Sequence, residues 1–218
     1  MKAALKLVTA PAASLSLTEL KEFLHVDGNA EDATLSSLIA AATDLAESYM
    51  GFKLLEQVWQ VWLDGFPQSQ RRSADQEWTG TQEGHFGTLF GGTDSLLELP
   101  IGPCRSLEKL ETFGDDGVPV ESLVSDYIVD LVSSKMRVAL KSGGSWPSSS
   151  LRAFNSICLT VKVGRYDSAA AIPKGIVECI KGTCAHLYEN RGDQQKLEIP
   201  PALIYLLSPY REVQFGLR

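Results

Sequence analysis

The chain is short of positive charge. Lys and Arg number 20 against 27 Asp and Glu in 218 residues, a formal net charge of −7. A protein built to grip nucleic acid needs the opposite balance, because phosphate contacts are made by Lys and Arg. An acidic wall past which DNA slides without adhering is compatible with it. Histidine and cysteine are also scarce. His25, His85 and His186 form no H-E-x-x-H or H-x-x-x-H pattern, and Cys104, Cys158, Cys179 and Cys184 form no C-x-x-C. The usual ligand spacings of a zinc site are therefore missing, and no metal is expected. The cysteines read as buried free thiols of a reducing compartment.

Nucleotide and nucleophile motifs are missing too. There is no Walker loop, G-x-G-x-x-G or G-x-S-x-G, so no cofactor and no catalytic residue is expected. Asp126 and Asp130 would share a face of a strand; carboxylates so placed guard a sheet edge more often than they do acid–base work. Trp59 and Trp62 could stack on bases, yet no basic residue interleaves with them, which favours packing. No apolar run approaches the ~20 residues of a membrane span. Lys6 and Pro11 interrupt the N-terminal apolar stretch before it makes a signal-peptide core, so a cytoplasmic protein without membrane contact is expected.

What is present is a long helix handing directly to an aromatic strand. From Glu31, the residues Leu35, Leu38, Ile39, Ala42, Leu45, Ala46 and Tyr49 recur at helical spacing, with Ser36, Ser37, Thr43, Asp44 and Glu47 mostly opposite. Asn29 is placed to cap this helix and Gly51 to end it, about 30 Å later. Val58 to Leu63 then reads as a strand closed by Gly65 and Pro67. Before this segment, residues 1–14 read as extended. Ser16-Leu17-Thr18-Glu19 is a capping box that opens a short helix ending near Val26.

Beyond the loop 68–95, strand patterns recur at 96–99, 106–113, 118–120, 126–132, 136–140 and 156–163. Gly114-Asp115-Asp116-Gly117 marks a hairpin turn. About six or seven short strands suggest a small antiparallel sheet or barrel. Pro173 opens a third helix with an apolar stripe of Ile176, Val177, Ile180, Cys184, Leu187 and Tyr188, ending at Asn190. A short helix follows from Pro200-Pro201 and stops at Pro209. The fold class expected is α+β: a helical bundle of 16–51 and 173–207, with a β-rich antiparallel module, 53–165, inserted between them in one domain.

Two segments suggest partner contact. The stretch 68–95 lacks periodicity and reads as a solvated loop or as a mobile one that orders against a partner. Trp78, Phe86, Leu89 and Phe90 favour the second reading. The tail 209–218 is extended in pattern, since Val213, Phe215 and Leu217 alternate after Tyr210 and Arg211. It either folds back on its own sheet or adds to the sheet edge of a neighbour.

The order of these elements carries a resemblance. LVTAPAA precedes SLTELKEFLHVDGNAEDATLSSLIAAATDLAESYMGFKLLEQVWQVWLDGFP. Then follow LELPIGPCRSLEKLETFGDDG, DYIVDL, SWP, ICLTVKVG, IPKGIVECIKGTCAHLYENRGD and LLSPYREV. The chain resembles the head–tail connector proteins (head-completion adaptors) of long-tailed phages, prophages and gene-transfer particles, over nearly its whole length. The loop 68–95 is longer than that family leads one to expect. The resemblance implies a structural protein of the virion neck, made in the host cytoplasm, that forms a twelve-fold ring under the portal. It implies a docking surface for the neck or tail-completion protein, and a central channel for DNA without specific binding. It also implies a C-terminal segment that reaches the portal. The competing readings are a non-viral protein-binding module, and an enzyme with a site around Glu83 and His85 in the loop.

Overall fold

The computed structural model describes residues 3–66, 96–133, 135–141, 144–147, 151–191 and 198–212. Its elements are β1 (Ala3–Thr9), α1 (Leu17–Leu24), α2 (Asp32–Met50), β2 (Gln57–Leu63), β3 (Leu96–Glu98), β4 (Cys104–Phe113), β5 (Pro119–Ser122), β6 (Tyr127–Asp130), β7 (Arg137–Leu140), β8 (Ile157–Val163), α3 (Lys174–Glu189) and α4 (Pro201–Leu207). The class is α+β. The loop 68–95 and the tail from Val213 lie outside the described residues.

The chain divides into two compact units. One is helical and takes Val8–Val58, Ile101–Pro103 and Val163–Arg218; the other is β-rich and takes Met1–Leu7, Trp59–Pro100 and Cys104–Lys162.

In the helical unit, α1 begins where the capping box places it: the Ser16 hydroxyl accepts the Glu19 N–H at 3.2 Å. It ends at His25, in the left-handed region at φ 54°. The start of α2 corrects the sequence expectation. Glu31, not Asn29, stands at the N-cap, without a side-chain cap. The Asn29 carboxamide oxygen instead accepts from Lys21 Nζ at 3.1 Å, and the same ammonium pairs with Asp32. Gly51 closes α2 at φ 83°, its N–H donating to the Glu47 carbonyl at 2.8 Å.

The buried stripe of α2 is Leu35, Ile39, Ala42, Thr43, Ala46, Glu47 and Met50. It packs on Ile176, Val177, Ile180 and Cys184 of α3 and on Leu207 of α4. Leu38, Leu45 and Tyr49 flank the stripe, only partly buried. Thr43 and Glu47 were expected on the solvent side; both are buried because each finds a polar partner from outside the helix. Thr43 shares a 2.6 Å hydrogen bond with Ser14. Glu47 takes Lys53 Nζ at 2.9 Å and the Leu54 N–H at 2.8 Å.

Residues 53–55, 101–103 and 163–166 form one backbone clasp in this unit. The Gly164 N–H donates to the Pro103 carbonyl at 3.0 Å, and the Tyr166 N–H to the Leu54 carbonyl at 2.8 Å. A side chain at Gly164 would put its Cβ 2.4 Å from the Leu55 carbonyl oxygen, at φ +137°. Only glycine fits there.

In the β-rich unit the strands make two sheets rather than a single small sheet or barrel. One has five strands in the order β1-β2-β8-β4-β5, the other three in the order β3-β7-β6. The predicted hairpin is present: β4 and β5 pair antiparallel, Thr112 opposite Val120, across a turn with Gly117 at φ 71°. β6 and β7 pair antiparallel, and so do β3 and β7. Residues buried in this unit include Val61, Leu63, Leu97, Leu110, Met136, Val138, Leu159 and Val161.

Candidate assembly surfaces

Among the described residues, the chemistry-bearing side chains do not converge. Asp126 lies in a 3-10 turn (Val124–Asp126), not in a strand, so the expected shared face with Asp130 does not exist. Asp130 ends β6 and is fully committed. It accepts the Ser133 hydroxyl at 2.7 Å, Arg137 Nε at 2.8 Å and the Val132 N–H at 2.9 Å. The Ser133 hydroxyl, then the Arg137 guanidinium, hold this carboxyl well below the usual range. This is a structural clamp across the β6–β7 turn.

The four cysteines are free and buried, as their sequence context suggested. Burial pushes the Cys104 and Cys158 thiols up to about 11 and the Cys184 thiol to about 12. Such thiols are inert at neutral pH. His186 lies on α3, its Nδ1 3.3 Å from the Asn190 amide nitrogen. Glu83 and His85 lie outside the described residues. Among the described residues no group of His, Cys, Asp and Glu is arranged to hold a metal ion, and no helix is long and apolar enough to cross a membrane.

The aromatic residues pack within the β-rich unit. Trp62 lies 5.2 Å from Phe113, and Arg152, distant in sequence, stands 4.8 Å from the Phe113 ring and 5.8 Å from Trp62. Trp146 stacks on Phe66 at 4.6 Å and on Tyr127 at 5.5 Å. Beside this stack opens a cleft of about 620 Å³, lined by Glu121, Leu123, Asp126, Tyr127 and Lys141 among others. Its lining carries carboxylates, hydroxyls and a lysine.

What the surface offers instead is exposed apolar area. Leu5, Leu7 and Val8 of β1, Val118 and Val120 of the β4–β5 hairpin, Leu123, Ile128 and Val132 are exposed, the last at 97%. On α4, Tyr205 is 79% exposed and only Leu207 is buried, so the stripe expected there is narrower than its apolar composition suggested. Groups of this kind mark contact surfaces in assemblies. Periodicity could not single them out, since strands with one apolar face look alike whether that face meets a core or a partner. The one available signal was Val-Pro-Val and Leu-Val-Ser beside turns, where burial is not expected.

Of the residues expected at an interface, Trp78, Phe86, Phe90, Val213, Phe215 and Leu217 lie outside the described residues. The other two, Tyr210 and Arg211, are held by their own unit. Tyr210 packs against the helical core, close to Gly175, and Arg211 stands 5.3 Å from the Tyr49 ring.

Residues 14–77 match the family model described as phage gp6-like head-tail connector protein. Among curated proteins nothing matches. Solved structures share the fold, among them the following three. A chain in the neck of an empty gene transfer agent particle, computed with six-fold symmetry, is 19% identical, with 99% of this chain and 98% of that one covered and a TM-score of 0.70. A chain in the virion of a native gene transfer agent particle is 18% identical, with 98% of each covered and a TM-score of 0.69. A chain in the neck of the native particle, computed with twelve-fold symmetry, is 18% identical, with 99% and 98% covered and a TM-score of 0.67. Over residues 14–77 the chain is thus similar in sequence to phage head–tail connector proteins, and over its whole length it shares the fold of these neck and virion chains.

Proposed function

We propose that the chain is a structural connector of a virion neck and not an enzyme: a subunit of a ring between the portal and the first tail protein, through which DNA passes. The observation that carries this reading is the match with a neck subunit from end to end, 99% of this chain against 98% of that one. A shared core alone would leave the peripheral elements unmatched, and those are what a connector uses. The exposed apolar groups on the β-rich unit and on α4 suit a protein that meets neighbours in an assembly. The net charge of −7 suits a channel wall that repels phosphate.

In this reading the ring is twelve-fold. The C-terminal residues Val213, Phe215 and Leu217 contact the portal as an added strand. Tyr210 and Arg211 serve by fixing where that segment leaves the fold. Trp78, Phe86 and Phe90 are assigned to the contact with the neck or tail partner. Cryo-electron microscopy of assembled particles tests the assignment. Density fitting this fold in a ring between portal and tail is the expected result; its absence from the neck would overturn it.

A further inference from the structure

The five-stranded sheet has two open edges among the described residues, β1 at one end and β5 at the other. All seven residues of β1 are exposed, Leu5, Leu7 and Val8 among them. A strand that buries so little gains little from its own fold and presents an unpaired row of backbone donors and acceptors. At the other edge Val118, Val120 and Glu121 are exposed. Resting on the ring reading above, we propose that these edges meet between neighbouring copies. β1 of one chain pairs with β5 of the next, so that the sheets join into a continuous band around the ring.

The side chains fit this pairing face by face. Lys109 pairs with Glu111 at 2.7 Å and with Glu121 at 3.4 Å, so these three lie on one face. Lys6 stands in the middle of the exposed strand β1, free of burial like its neighbours. With Lys6 set opposite Glu121, alternation along a strand brings Leu5 and Leu7 beside Val120 and Ser122. That is the face on which Thr112 and Leu110, the partners of Val120 and Ser122 within the chain, are buried. Lys6 then meets the opposite charge of Glu121, and a leucine of β1 meets Val120. Because the two edges differ, the contact is heterologous, and such a contact does not stop at a dimer but closes into a ring where the rotation between neighbours allows. Pro119 has no amide hydrogen, so the new ladder is short on the β5 side.

A Lys6→Cys, Glu121→Cys double variant of the full chain tests the pairing. Within one chain these positions lie four strand spacings apart, about 19 Å, too far for a disulfide. The native cysteines are buried. Oxidation at high protein concentration should give a ladder of covalent oligomers ending in a closed ring, with neither single variant giving it. Lys6→Glu should raise the concentration needed for assembly about tenfold, and adding Glu121→Lys should restore it. Absence of the ladder overturns the pairing. If rings form on tailless heads without a ladder, the connector reading stands and the subunits meet elsewhere. If the chain gives no ladder and does not bind heads, both fail.

Discussion

The backbone N–H of Glu212 donates to the carbonyl of Met50 over 2.9 Å, so the end of the described chain is fastened to the last residue of α2. The Glu212 carboxylate also pairs with Arg165, whose guanidinium lies 3.7 Å from the Phe52 ring centre. This fixes the root of the C-terminal segment and separates two truncations. Removing residues 213–218 should leave the thermal midpoint nearly unchanged while abolishing portal binding. Removing 211–218 deletes the Glu212 anchor and Arg211, and should lower the midpoint by several degrees, on the order of 1–2 kcal/mol. Equal midpoints for the two truncations would show that the anchor contributes nothing.

Glu47 is the most consequential buried charge. A carboxylate in the last turn of a helix is disfavoured by the helix dipole, and this one is 4% exposed. It is held by the Lys53 ammonium, the Leu54 N–H and, at 3.4 Å, the Gln57 amide. Glu47→Ala strands the Leu54 donor and should destabilise the protein by about 3 kcal/mol in chemical denaturation. A loss below about 0.5 kcal/mol, the range of a surface change, would mean that this network does not hold the turn from α2 into β2.

Glu47 also illustrates what a sequence reveals and what it withholds. Local signals were legible: the Ser16 capping box, the Gly51 cap and the Gly114–Gly117 hairpin each depend on neighbours a few residues away. Asn29 and Thr43 were misplaced because their partners, Lys21 and Ser14, lie on other segments, and no period encodes such a meeting. Asp126 left its strand for a 3-10 turn, which apolar alternation does not distinguish. The edge position of β1 was illegible for the same reason. Residues 1–14 read as extended, but the sheet order that leaves Leu5 and Leu7 exposed is set by non-local pairing.

The thiols give a pH test with a defined sign. Burial raises Cys104, Cys158 and Cys184 from an ordinary 9.0 to about 11, 11 and 12. A group whose pKa is raised on folding contributes stability below its unfolded value and loses it as pH climbs to the folded value. Stability should therefore fall between about pH 9 and 12, and all four thiols should resist a thiol reagent at pH 8 until the protein unfolds. Fast reaction of any one in the native protein would contradict its burial.

The central claim, that this chain joins heads to tails, is tested most directly by electron microscopy of lysates from a producing strain that lacks it. The expected result is DNA-filled heads and free tails side by side, joined into complete particles when the purified chain is added. Complete particles formed without the chain, or heads and tails that stay apart after its addition, would contradict it.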